Sequence, residues 1–220
     1  MNDTLNLLIG LAMGLNLMAL GSSRMPTLIR AMSVQGVVLG VMPLLMDHLW
    51  SWSALVHEWP VLLVAVATVT VKGVIIPRLL NRAMRAANID RDMEPLIGYV
   101  PSILLGAGGT IAAMALARSL PLLPEHAGSL LVPGALAAVL TGFVLLIGRT
   151  KAISQVCGYL ILENGIYLFG LLLIRSTPLM VEAGILLDLT VGVFVIGIIV
   201  DRIQRAFDTL DTRKLTVLRE

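Results

Sequence analysis

Polar residues divide the chain into long apolar stretches at 4–21, 26–46, 59–79, 96–116, 128–147, 152–174 and 179–200. Crossing a hydrocarbon core of ~30 Å takes about 20 residues of helix, and each stretch approaches or exceeds that length. Within the stretches apolar residues follow one another without alternation, which argues against the in–out pattern of a transmembrane β-barrel. The pattern predicts an all-α, polytopic membrane protein of about seven transmembrane helices. Breaks fall where helix-stopping residues collect. Ser22-Ser23-Arg24-Met25-Pro26 separates the first two spans and Thr177-Pro178 the last two, while Arg78 to Pro95 is the most polar interior stretch.

Composition supports the same class. Hydrophobic residues make up 57% of the 220 and charged residues 14%, against about 25% charged in soluble domains. A net charge of +2 gives no reason to expect a nucleic-acid partner, and lipid is the expected surroundings. The chain has one cysteine, Cys157, so neither an internal disulfide nor a thiolate metal cluster is expected. Met1-Asn2-Asp3-Thr4 lacks the positive region of a cleavable leader, so the first apolar run is expected to stay as a span.

The distribution of cations predicts orientation. With the N-terminus outside, the inner connectors hold Arg24, Arg78, Arg82, Arg85, Arg91, Arg149 and Lys151, and the tail adds Arg202, Arg205, Arg213, Lys214 and Arg219. The outer connectors hold Arg118 and Arg175. Twelve cations against two predict a periplasmic N-terminus and a cytoplasmic C-terminus in a bacterial inner membrane. Trp50, Trp52 and Trp59 would then mark the outer interface. Gly10…Gly14 and Gly36…Gly40 have the small-xxx-small spacing that permits close helix approach. Gly106-Ala107-Gly108-Gly109 lies within a span with no strand before it, so it reads as a packing surface and not a phosphate loop.

Five charged residues fall inside the predicted spans: Arg30, Lys72, Glu163, Glu182 and Asp188. Each costs at least about 2.5 kcal/mol at mid-helix unless it pairs, faces water or reaches the interface. Arg30 and Glu182 lie near span ends, where they can reach head groups or water. Lys72 is about two turns from the inner end of its span. Glu163 and Asp188 sit ~16 and ~18 Å from the inner ends of consecutive antiparallel helices, at matching depth and beyond the reach of short side chains. A carboxyl there exchanges its proton only if a cation or a hydrated path supports its charge. Glu163, Asp188 and Lys72 are therefore the candidates for a proton pathway, with Glu182, Arg30 and Tyr159 as secondary positions. Tyr159, Gln155 and Cys157 lie on the same span as Glu163. His48, His57 and His126 fall in predicted loops without metal-ligand spacing, and no nucleophile–base pair, P-loop or redox-ligand set is evident. No cofactor is expected in this chain.

The C-terminal third resembles the three-helix K subunit of respiratory complex I and the C subunit of multi-subunit sodium/proton antiporters. The resemblance runs through Gly142-Phe-Val-Leu-Leu-Ile-Gly-Arg-Thr-Lys-Ala-Ile153, Gly158-Tyr-Leu-Ile-Leu-Glu-Asn-Gly-Ile-Tyr-Leu-Phe169 and Leu187-Asp-Leu-Thr-Val-Gly192. With four further helices in front and the tail Asp201-Arg-Ile-Gln-Arg-Ala-Phe-Asp-Thr-Leu-Asp211, the whole looks like hydrogenase-4 component E. The implied division is a four-helix membrane segment (1–127), a K-like three-helix unit (128–200) and a cytoplasmic tail (201–220).

The resemblance implies a non-catalytic subunit in the membrane arm of a group 4 [NiFe]-hydrogenase, such as a formate hydrogenlyase. Its partners would be antiporter-like and hydrogenase-anchoring membrane subunits and a hydrogenase module on the cytoplasmic side, with the NiFe centre and iron–sulfur clusters in those partners. Asp188 falls at the second of the K family's two mid-membrane glutamates. Glu163 sits three residues after the first, where this chain has Leu160, so the carboxyl keeps its face but moves ~4.5 Å along the axis. The rival readings are a subunit of a cation/proton antiporter without a redox partner, and a structural spacer. A seven-helix retinal photoreceptor is set aside, because the last span has no lysine and aromatics make up only 5% of the chain.

Overall fold

In a computed structural model the described residues are 2–46, 59–86, 95–120 and 129–173. They form helices α1 (Asn2–Gly21), α2 (Met25–Met46), α3 (Trp59–Thr70), α4 (Ile76–Ala86), α5 (Tyr99–Ser119), α6 (Leu131–Gly148) and α7 (Ala152–Leu173), with a π-turn (Val71–Ile75) joining α3 to α4. Five of them, α1, α2, α5, α6 and α7, are long and apolar enough to cross a membrane. Their limits lie within a few residues of the stretches read from the sequence. The predicted seventh span, 179–200, lies outside the described residues, and so do Glu182 and Asp188.

The third predicted span departs from a plain helix. Thr70 and Ile76, on either side of the π-turn, keep helical dihedrals, so the axis continues through it. The composition changes as the helix proceeds. α3 is wholly apolar or weakly polar, whereas α4 exposes Arg78, Arg82 and Arg85 along one face and buries Ile76, Leu80, Ala83 and Met84 on the other. The i, i+4, i+7 spacing of the arginines is what separates the faces.

Among the described residues α1 packs on α2, α2 on α3, α5 on α6 and α6 on α7, and their contacts sort into layers. At one end Leu20, Met25, Ile29, Met32, Leu80, Leu145 and Leu160 form an apolar cluster. At the other end Ile9, Leu39, Met42, Leu131, Leu168 and Leu171 form a second. Between them, at similar height on three helices, α1 contributes Asn16, α2 contributes Gln35 and α7 contributes Glu163 and Asn164, all buried. The bundle is thus two greasy layers enclosing one polar layer.

Among the described residues the closest helix approach is between α6 and α7. A Cβ on Gly142 would lie 2.6 Å from the amide nitrogen of Leu162 and 2.7 Å from the carbonyl oxygen of Gly158. One on Gly165 would lie 2.7 Å from the carbonyl of Ala135. Main chains touch directly there, so the missing side chains create the interface. On α2, Gly36 and Gly40 face Lys72 and Val69, as their spacing predicts, and a Cβ at either would fall 2.7 Å from its neighbour's side chain. Gly10 and Gly14, with the same spacing, have nothing within 4 Å of a Cβ position; their face of α1 meets no neighbour among the described residues. Within the glycine-rich run of α5, Gly106 packs on Leu20 and Gly109 on Leu140, which is the packing role expected of it.

Gly142→Ala is expected to lower the thermal stability of the purified protein by about 1–3 kcal/mol through overpacking. Gly10→Ala, made in a helix interior with open space, should gain up to about 1 kcal/mol from helix propensity. Thermal unfolding of the two variants in one detergent checks the contrast.

Candidate functional site

The polar layer is built from residues that a helix interior in lipid would ordinarily exclude. Glu163 and Asn164 are consecutive on α7 and lie near its middle, far from either end's free backbone groups. Lys72 reaches them from the π-turn. Its Nζ lies 3.5 Å from Glu163 Oε1, with both side chains about 5% exposed or less. The same ammonium donates a 3.1 Å hydrogen bond to Asn164 Oδ1 and sits 5.5 Å from the centroid of the Tyr167 ring, one helical turn beyond Glu163. The cation therefore meets an anion, a carbonyl dipole and an aromatic face.

The π-turn is what delivers the lysine. A π-turn wraps an additional residue into the helix, which alters the facing of side chains and frees a backbone carbonyl from the usual ladder. The Ser33 hydroxyl of α2 donates 3.0 Å to the carbonyl of Gly73 within the turn. Gly36, one turn along α2, leaves the space that the Lys72 stem occupies. Serine satisfies the irregular backbone and glycine admits the side chain. Both residues belong to the same face of α2.

Beyond Lys72 the hydrogen bonding continues across the bundle. Asn164 Nδ2 donates 3.2 Å to Gln35 Oε1, and Gln35 Nε2 donates 3.0 Å to Asn16 Oδ1. Five buried polar residues from α1, α2, the π-turn and α7 are joined in one network. Burying an isolated charge at this depth would be prohibitive, and a half-satisfied network is worse than an apolar core. Pairing Lys72 with Glu163 removes the net charge, and Asn164 Oδ1 takes a hydrogen bond from the ammonium. Chemically, the pair can exist as ammonium and carboxylate or, with the shared proton moved from lysine to glutamate, as amine and carboxylic acid; one further proton taken up from elsewhere gives ammonium beside carboxylic acid. A group of this kind can accept, hold and release a proton inside the membrane.

The structure joins two of the three primary candidates, Lys72 and Glu163, from spans that are distant in sequence. Asp188 and the secondary Glu182 fall outside the described residues. Arg30 is exposed near the start of α2, as a residue reaching for an interface would be. Tyr159 lies on α7 one turn before Glu163 and is 36% exposed. Asn16, Gln35 and Tyr167 were not singled out by sequence. The signal for the first two was present, since each is a carboxamide inside an otherwise apolar span.

A second buried cation has a different task. Arg149, counted as a connector charge in the sequence, is 2% exposed. It donates to the carbonyl of Leu20 in the last turn of α1 and, at 3.4 Å, to the carbonyl of Ile97. Its guanidinium carbon lies 4.4 Å from the centroid of the Tyr99 ring. The carbonyl of Arg149 itself accepts from Gln155 Nε2 at 3.0 Å. The guanidinium caps free carbonyls at the end of α1, where a cation also suits the helix dipole. It ties α1, the segment before α5 and the α6–α7 connection together.

Lys72→Met leaves Glu163 without its cation and is expected to cost about 3–5 kcal/mol. Combined with Glu163→Gln it should cost less than the sum of the two single changes, a coupling read from thermal unfolding of the four proteins. Arg149→Lys keeps the charge but loses the planar fork; it is expected to destabilise almost as much as Arg149→Met in the same assay.

Over 194 residues, 88% of this chain and 86% of the relative, the sequence is 34% identical to the Uncharacterized protein Rv0085 of Mycobacterium tuberculosis. It is also 34% identical to Hydrogenase-4 component E of Escherichia coli K12 and of Shigella flexneri, over 85 residues that cover 39% of this chain and 39% of each relative. No protein-family model matches the chain. No solved structure matches it.

Proposed function

This chain belongs to the family of the mycobacterial protein Rv0085, and from that footing we propose that it is a membrane subunit of a hydrogenase-type complex whose Lys72–Glu163 pair carries protons through the membrane arm. The partial similarity to hydrogenase-4 component E supports the first half of the reading. The second half rests on one observation: a lysine and a glutamate at membrane depth, 3.5 Å apart and closed off from solvent, within a polar layer that four elements share.

The chain itself performs no covalent chemistry in this reading. Electron transfer at a NiFe centre and iron–sulfur clusters, held by a hydrogenase module on the cytoplasmic side, alters the charge on neighbouring antiporter-like and anchoring membrane subunits. That change draws a proton onto or off the Lys72–Glu163 pair, and Asp188 on the last span passes it onward along the arm. Residues 1–127 form a four-helix segment that supplies Lys72, 128–200 the unit that carries Glu163 and Asp188, and 201–220 a cytoplasmic tail that helps to dock the module. The membrane is the bacterial inner membrane, with the N-terminus periplasmic. The energetic logic is that of a pair poised between two neutral arrangements, where a small change of nearby field suffices to move one proton.

The native complex, purified in mild detergent and reconstituted into liposomes, tests this. Glu163→Gln with Asp188→Asn is expected to abolish proton movement coupled to hydrogenase turnover while the complex still assembles. Undiminished proton movement overturns the pathway assignment. Recovery of antiporter-like subunits with no hydrogenase or iron–sulfur protein overturns the assignment to a hydrogenase-type complex.

A further inference from the structure

An ammonium group donates hydrogen bonds and accepts none, and this fixes the direction of every bond beyond Lys72. Asn164 must present Oδ1 to Lys72 Nζ, which leaves its Nδ2 for Gln35 Oε1. Gln35 is then left with Nε2 to offer Asn16 Oδ1. The series ends on Asn16 Nδ2, a buried donor with no hydrogen-bond partner among the described residues. The reversed series would use that donor on Gln35. It would also turn Asn164 Nδ2 toward the ammonium, donor against donor. Either direction leaves one group of Asn16 without a partner in the series, its Nδ2 as observed or its Oδ1 if reversed, so what decides between them is the carbonyl oxygen that the observed direction keeps in front of the lysine.

We infer that Gln35 and Asn16 are positioning residues for Lys72. Through Asn164 their carboxamides lock a carbonyl oxygen onto the ammonium and hold it beside Glu163. Neither touches the lysine; each acts by denying the next amide the freedom to flip. Gln35 is the decisive member, since it is bonded on both sides and is 1% exposed. Successive bonds in such a series polarise one another, so fixing Asn164 also strengthens its bond to the charge. The inference deepens the reading of Lys72–Glu163 as a proton-carrying pair, yet its test needs no proton movement.

The chain has three lysines, Lys72, Lys151 and Lys214, so full-length protein labelled with nitrogen-15 at lysine Nζ gives a short list of ammonium resonances. The Lys72 signal is assigned by its loss in Lys72→Met, and its hydrogen exchange with solvent is followed in lipid nanodiscs. Gln35→Met matches the side-chain length without donor or acceptor and should accelerate that exchange about tenfold, the equivalent of one lost hydrogen bond. Gln35→Glu can still accept from Asn164 Nδ2 while Asn16 turns to donate, and should restore the slow exchange of the unaltered protein. Exchange in Gln35→Met as slow as in the unaltered protein, or in Gln35→Glu as fast as in Gln35→Met, overturns the inference. Should Gln35→Met not accumulate, Asn16→Leu takes its place, with a severalfold acceleration expected and an unchanged rate overturning the inference. Normal exchange behaviour beside absent proton coupling in liposomes would refute the functional reading alone; lost positioning beside intact coupling would refute this inference alone.

Discussion

A cation stranded between the faces of a membrane has few means of support: it can reach for water, meet an anion, or give up its proton. Lys72 is held in a helix whose neighbours close over it, and it meets Glu163 at 3.5 Å. Almost every unusual feature of the bundle serves that meeting. The serine on α2 satisfies the backbone of the turn that carries the lysine, the glycine beside it opens room for the stem, and the amides of three helices complete the polar layer. Without the pair none of these residues has reason to be buried where it is.

Rigidity on one side makes the pairing possible. The seam between α6 and α7 is formed by main chains in contact, an arrangement with little freedom to slide. α7 therefore presents Glu163 and Asn164 from a fixed platform. The opposing wall, α2 with the π-turn, adapts to it through a serine and a glycine. Arg149 secures the platform at one end by gripping main-chain carbonyls of α1 and of the segment before α5. Because those partners are backbone atoms, the clasp depends on where the chain runs and not on which apolar side chains occupy positions 20 and 97.

Much of this was legible in the sequence. Apolar runs of membrane length fixed where α1, α2, α5, α6 and α7 begin and end to within a few residues, and the depth of Glu163 and Lys72 identified them as residues needing a partner. What the sequence concealed was the match. Depth along a helix can be counted, but azimuth around it cannot be carried through a π-turn, so Lys72 and Glu163 gave no sign that they face one another. Glu163 was paired by depth with Asp188, which lies outside the described residues. Arg149 misled in another way: a charge in a short connector reads as solvent-exposed, and its burial depends on carbonyls from Leu20 and Ile97 that no pattern of side chains announces. Asn16 and Gln35 were visible as amides within apolar runs, but their importance follows only from the lysine at the far end of the series.

The wide turn at Val71–Ile75 has a consequence for kinship as well as for chemistry. A π-turn takes up one extra residue in about the rotation of an α-turn, so removing a single residue from it would restore ordinary helical winding with the helix on either side close to its present facing. A homologue one residue shorter here would keep α3 and α4 where they are and lose the local refacing that aims a lysine within the turn at the acid. It would have to supply the positive charge from a neighbouring position, so gaps opposite this turn are where an alignment of such proteins must be read with the helix geometry in hand.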